Sequence, residues 1–223
     1  MLHRKSERQS VLPRLLVDND VLLKLAHWQL LDCVPECLGT TWAQVAVLDS
    51  LRFRTQRKDK KLFRAPAVAD ALASRLAMAA PMPAPDPTVI ETLQGVVGID
   101  AGEVALIGTL CACAEALWMT GDKRALRALT VPSLAVVAGR VRGRVVCLEQ
   151  VLWHALDTRG VQRLGECITP YRGMDTAVRC IIGSPDIIQE SSVREGLASY
   201  LRDLEHEAPC LLIDGLGFAR NGR

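Results

Sequence analysis

With 223 residues, the chain is long enough for one sizeable core and an appendage. Hydrophobic residues make up 49% of it, which excludes a disordered polypeptide, and a net charge of +2 is too small to imply nucleic acid by itself. No apolar run approaches the roughly 18–20 residues of a membrane span, and the charged amino terminus lacks a signal-peptide core, so a cytoplasmic protein with no membrane partner is expected.

In chain order, the first ten residues are polar. Leu15-Leu16-Val17 reads as a short buried strand that stops at Asp18-Asn19-Asp20. From Val21 to Leu31 apolar residues recur at helical spacing, with His27 and Gln29 outside the stripe. Val34–Leu38 reads as a short irregular or strand segment. Thr40-Thr41 can cap a helix running to about Phe53. Residues 66–80 are alanine-rich and helical. Pro81, Pro83, Pro85 and Pro87 then enforce a stiff loop. Helices resume near Thr88 and at Ala101–Ala116.

A second strand then runs into Thr120-Gly121-Asp122, followed at once by a helix-like stretch. Val145-Val146-Cys147 reads as a further strand and Glu149–Leu156 as a helix. This alternation predicts an α/β fold of three layers, a central parallel sheet flanked by helices. Thr176–Ile182 and Ser191–Glu207 look helical, and Pro209–Phe218 is apolar. The expected organisation is a domain over 1–156 and a helical extension over 157–223 packed on it.

The candidate chemistry lies where apolar runs end in acids. A strand ending at Asp18 would place that carboxylate at the sheet edge where open α/β folds bind ligands. Asp18 or Asp20 could equally cap the following helix. Asp122 repeats the plan, with Gly121 permitting the turn. Glu103, after Gly102, opens an Ala/Leu-rich helix, and Asp20, Asp100 and Glu149 are further acids near these ends. The eight cysteines, Cys33, Cys37, Cys111, Cys113, Cys147, Cys167, Cys180 and Cys210, mostly sit among apolar neighbours. They lack histidines at zinc-finger spacing and read as reduced thiols. The four histidines show no catalytic or metal-binding spacing and read as structural.

These motifs resemble the PIN-domain ribonucleases, over roughly residues 12–155. That family begins with a strand ending in Asp, carries a Gly-Glu-rich helix start, and ends a later strand in Thr-x-Asp or Thr-Gly-Asp. Asp18, Glu103 and Asp122 match those acids as they stand. The family's acid on the second helix is best matched by Asp49, within Ala46-Val47-Leu48-Asp49-Ser50-Leu51. Asn19 stands where the family has a hydroxyl residue, and Asp20 where it has Asn. The resemblance implies a PIN-like fold and an endoribonuclease in which Asp18, Glu103, Asp122 and Asp49 are catalytic. Asp18, Glu103 and Asp122 would hold Mg²⁺ or Mn²⁺, because clustered carboxylates repel one another until a cation neutralises them. Hydrolysis by water would leave a 5′-phosphate and a 3′-hydroxyl on the RNA substrate. Resemblance to the family's toxins implies a cognate antitoxin, and a homodimer is compatible with it.

Arg52, Arg54, Arg57, Lys58, Lys60 and Lys61, with Phe53 and Phe63 among them, form a candidate RNA-binding arm. The competing account is a solvated helix face. Arg140, Arg142 and Arg144 form a second, weaker patch, and Lys123 and Arg124 could touch phosphate. Two other functions fit less of the sequence. One is a catalytically idle PIN-like nucleic-acid-binding or interaction protein. The other is a haloacid-dehalogenase-like phosphatase, suggested by Asp18-x-Asp20 and Gly121-Asp122 but lacking a second acid after Asp122.

Overall fold

A computed structural model describes residues 13–183 and 188–215. Four short strands form one all-parallel sheet: β1 (Leu15–Val17), β2 (Val45–Val47), β3 (Leu117–Thr120) and β4 (Val145–Cys147). Their spatial order is β2-β1-β3-β4. Leu16 sits in register with Ala46 on one side and Trp118 on the other, and Met119 with Val146.

Parallel strands need crossovers, and helices supply them. After β1 come α1 (Asn19–His27) and α2 (Cys33–Glu36). After β2 come α3 (Asp49–Gln56), α4 (Pro66–Leu76), α5 (Pro87–Leu93) and α6 (Ala101–Ala112). Between β3 and β4 lie α7 (Lys123–Ala128) and α8 (Ala135–Val141). The chain finishes with α9 (Leu148–Arg159), α10 (Val161–Ile168), α11 (Thr176–Ile182) and α12 (Glu190–Glu207).

Strand alternation sorts the side chains into two cores, which makes the three layers. Leu15, Val17, Val45, Val47, Met119 and Val146 point to one face, against Leu22 and Leu25 of α1, Leu72 of α4 and Val151 of α9. Leu16, Ala46, Trp118 and Val145 point to the other, against Leu93 of α5, Leu106 and Leu110 of α6 and Val141 of α8. Both faces are covered, so the strands read as unbroken apolar runs.

Two local expectations are corrected. Val45–Val47 is a strand, not part of a helix from Thr41 to Phe53. A three-residue run buried on both faces has no period by which to tell strand from helix. Val34 lies in the one-turn helix α2, not in a strand.

The later helices join the same cores. Leu164, Ile168, Val178, Val193 and Leu197 belong to the first, and Leu201, Leu204, Leu211 and Leu212 to the second. α9 runs unbroken through positions 156 and 157. Beyond α12 the chain lies along β4: Ile213 N–H donates to Val145 C=O at 2.8 Å, and Val145 N–H donates to Leu211 C=O at 3.0 Å. Ala80 lies along β2 in the same way, its N–H donating to Val45 C=O at 2.8 Å. Both sheet edges are thereby covered. Among the described residues no helix is long and apolar enough to cross a membrane.

Candidate functional site

The strand order reverses direction between β1 and β3: from β1 the chain moves outward to β2, and then returns to the far side as β3. In open α/β sheets the crevice outside the carboxyl ends at such a point is the natural ligand site. Asp18 is the first residue beyond β1, and Asp122 is the second beyond β3. Asp18 N–H donates to Met119 C=O at 2.9 Å, which ties the two strand ends together.

Each acid is held by local structure. Asp122 N-caps α7, its Oδ1 accepting from the amides of Arg124 at 2.7 Å and Ala125 at 3.2 Å. Its own amide donates to Thr120 Oγ1 at 3.1 Å. Asp100 and Glu103 form a reciprocal capping box on α6. Glu103 N–H donates to Asp100 Oδ1 at 2.9 Å, and Asp100 N–H donates to Glu103 Oε2 at 2.7 Å. Gly102 lets α6 start here, because a Cβ would come within 3.2 Å of both Asp100 Oδ1 and Leu48 Cδ1.

These acids line one cleft of about 810 Å³, with Asp20, Glu149, Asp175, Lys24, Lys123, Arg124, Thr176 and Tyr200. Four ion pairs use the three cations. Lys24 bridges Asp20 at 2.5 Å and Asp175 at 2.8 Å, Lys123 meets Glu149 at 2.8 Å, and Arg124 meets Asp122 at 2.8 Å. Asp18, Asp100 and Glu103 form no direct ion pair among the described residues, although the charge of Arg124 is felt by Glu103 and Asp100.

The electrostatics follow. Burial, then the charges of Asp20 and Asp100, push the Asp18 carboxyl up to about 6, against a partial offset from the amides of Asp20 and Asn19. Burial also pushes Glu103 up to about 7, helped by the charges of Asp122, Asp100 and Asp18 and opposed by the Asp100 amide. For Asp122 burial works in the same direction, but hydrogen bonds from the Arg124 side chain and the α7 amides outweigh it and hold the carboxyl low.

The donor set is all oxygen and anionic, which suits a hard divalent cation. Asp18 and Glu103 are the two carboxylates whose charge such an ion would relieve. Even so, no three His, Cys, Asp or Glu side chains among the described residues are gathered in a metal-holding arrangement. Arg124 lies across Asp122, and one Glu103 oxygen is taken by the capping box.

Of the acids expected from sequence, Asp18, Glu103 and Asp122 meet in this cleft and Asp49 does not. Its side chain is 89% exposed at the first turn of α3, 3.8 Å from Arg52, and it lies outside the cleft lining. The reason is topological: β2 is a sheet neighbour of β1 on the side away from β3, so α3 starts beside the crevice rather than in it.

The basic run is also placed elsewhere. Arg64 N–H donates to His27 Nε2 at 3.3 Å, and Phe63 stacks on the His27 ring. His27 is the last residue of α1, about 12 Å along the helix from its start beside Asp18. Arg52 donates to the carbonyls of Leu76 at 2.6 Å, Ala79 at 3.1 Å and Ala80 at 2.9 Å, and so closes the end of α4. Arg54 pairs with Asp59, Lys58 with Asp70, and Arg57 covers the Phe53 ring. Lys60 and Lys61 are exposed. The second patch is likewise engaged: Arg140 meets Asp86, and Arg144 donates to the carbonyls of Leu110 and Ala116.

His27 is structural, as read from sequence. Its Nδ1 lies 2.8 Å from Leu23 C=O, so Nδ1 carries the proton and Nε2 accepts from Arg64.

Lys24, Asp175, Thr176 and Tyr200 are the cleft residues that sequence reasoning passed over. The i, i+4 spacing of Asp20 and Lys24 was a visible signal. Asp175 and Tyr200 arrive from far along the chain and carried none. No model of a known family, no curated protein and no solved structure matches the chain.

Proposed function

We propose that the cleft hydrolyses RNA phosphodiester bonds with the help of Mg²⁺ or Mn²⁺, in the manner of the PIN-domain nucleases that the acid motifs resemble. The observation that carries this reading is the pair of desolvated carboxylates, Asp18 and Glu103, which face the crevice at the strand-order reversal and form no direct ion pair among the described residues. Such an arrangement costs stability and is relieved by a divalent ion. When bound, the ion supplies Lewis acidity and charge neutralisation at the phosphodiester. Asp18 and Glu103 would ligate it. Asp122 would join them once Arg124 swings away; that side chain is 78% exposed and free to move into solvent. Asp100 fixes Glu103 through the capping box.

The idle-protein reading is favoured by one feature, the Arg124 guanidinium on Asp122, which could replace the cation permanently. The phosphatase reading would need Asp20 beside Asp18 as an acid, yet Asp20 pairs with Lys24.

Two measurements decide. Millimolar Mn²⁺ should raise the melting temperature of the parent and less so that of Asp18→Asn, because the ion binds only the folded cleft. Asp18→Asn and Asp122→Asn should each lower cleavage of single-stranded RNA by about 100-fold or more, while circular dichroism stays unchanged. Parent-like cleavage by both variants would rule the mechanism out. RNA binding without cleavage by the parent would favour the idle reading.

A further inference from the structure

We propose that Lys123, held by Glu149 and Tyr200, is a phosphate-binding subsite that grips the backbone of a single-stranded RNA beside the carboxylates. This rests on the nuclease reading and deepens it.

The argument starts from charge. The cleft is lined by Asp18, Asp20, Asp100, Glu103, Asp122, Glu149 and Asp175, against Lys24, Lys123 and Arg124. A polyanion is repelled there unless a fixed cation meets it. Lys24 lies between two carboxylates, which cancel it. Arg124 is taken by Asp122 and is mostly in solvent. Lys123 differs. Its ammonium meets one carboxylate, Glu149 Oε1 at 2.8 Å, and lies over the Tyr200 ring, 4.0 Å from the centroid. An ammonium carries three donors, and no other partner meets it among the described residues. Its side chain is 22% exposed, so the remaining donor can reach a ligand while the ammonium stays desolvated.

Glu149 supports this independently. The residue is 4% exposed, and its Oε2 is buried with no hydrogen-bond partner. Apart from the neighbouring Cys147 thiol, only Lys123 answers this carboxylate among the described residues, and a pair kept for stability alone would be expected to satisfy both oxygens fully, since a half-satisfied buried carboxylate is costly. Its evident effect is to aim Lys123. Tyr200 completes the holder from α12, as part of the cleft lining. Lys123 directly follows Asp122, so a phosphate on its ammonium would lie next to the acids and not at a remote surface. The helices beyond residue 157 thereby supply the substrate side of the cleft.

The test uses a labelled single-stranded RNA of about ten nucleotides, with binding read by fluorescence anisotropy in EDTA and cleavage read in Mn²⁺. Lys123→Gln should weaken binding about tenfold, the worth of one charge-assisted hydrogen bond. It should flatten the log–log salt slope by about 0.7. KM should rise with kcat little changed. Lys123→Arg should retain most of the binding. In Lys123→Gln/Glu149→Gln no buried carboxylate is left unpaired, so a parent-like melting temperature with the same binding defect is expected. Parent-like affinity and salt slope in either Gln variant would overturn the subsite. A parent that neither binds nor cleaves the RNA would instead overturn the nuclease reading, and the subsite with it.

Discussion

Asp18 and Glu103 carry opposite obligations for stability and chemistry. Their folded carboxyls stand at about 6 and about 7, against ordinary values of 3.8 and 4.5. Below about pH 3 both are protonated folded and unfolded, and neither costs anything. As pH rises the unfolded chain releases these protons first, so folding is progressively penalised until the folded groups ionise too. Stability contributed at these two positions therefore falls from about pH 4 to about pH 7. Asp18→Asn removes that penalty. In EDTA at pH 7.5 it should melt higher than the parent, by roughly 1–2 kcal/mol after allowing for solvent screening. The difference should shrink towards zero at about pH 3, and saturating Mn²⁺ should erase it at pH 7.5. A gap independent of pH would mean that the carboxylate is solvated.

At the scale of elements, α3 is tied to the end of α4 and the turn after it by a single side chain. The guanidinium of Arg52 accommodates the carbonyl of Leu76 at the end of α4 and those of Ala79 and Ala80 in the turn beyond it, acceptors that would otherwise be left unpaired. Arg52→Ala should thus destabilise the protein by about 1–3 kcal/mol, read by chemical denaturation. Changing Arg57, Lys58, Lys60 and Lys61 together to Gln should leave the salt slope of RNA binding unchanged, because this run lies near the far end of α1 from the acids. A flattened slope would mean that RNA reaches across that distance and that the run is an arm after all. α7 behaves differently. Asp122→Asn keeps the cap, whereas Asp122→Ala should also cost about 1 kcal/mol of stability.

For the whole molecule, α12 is the element that joins the two cores. Its 18 residues place Val193 and Leu197 in one core and Leu201 and Leu204 in the other. Residues 211–213 then cover the edge of β4. Truncation after Gly160 would expose apolar surface on both faces of the sheet and unpair β4. The truncated chain should show no cooperative thermal melt. A cooperative transition would show that the first 160 residues fold alone and that the later helices are dispensable to stability. Within the intact chain, Leu201→Ala should cost about 2–5 kcal/mol, the usual toll of a buried leucine cavity.

What the sequence determined by itself was local. β1, β3 and β4 could be read because each is an apolar run that ends in a polar signal: Asp18, Thr120-Gly121-Asp122, or a helix start. Asp18, Glu103 and Asp122 stood out because strand ends and helix caps are encoded within a few residues. Only the tertiary structure decided the rest. β2 became a strand because β1 offered it an edge, which its own three residues could not announce. Asp49 left the cleft because of where β2 sits in the sheet order. The basic run fell away from the acids because α1 and α3 lead away from the carboxyl edge, and Asp175, at the N-cap of α11, and Tyr200, in α12, entered the cleft from more than fifty residues beyond Asp122. Burial, and with it the raised carboxyls of Asp18 and Glu103, is a property of neighbours brought together across the chain, which no short segment encodes.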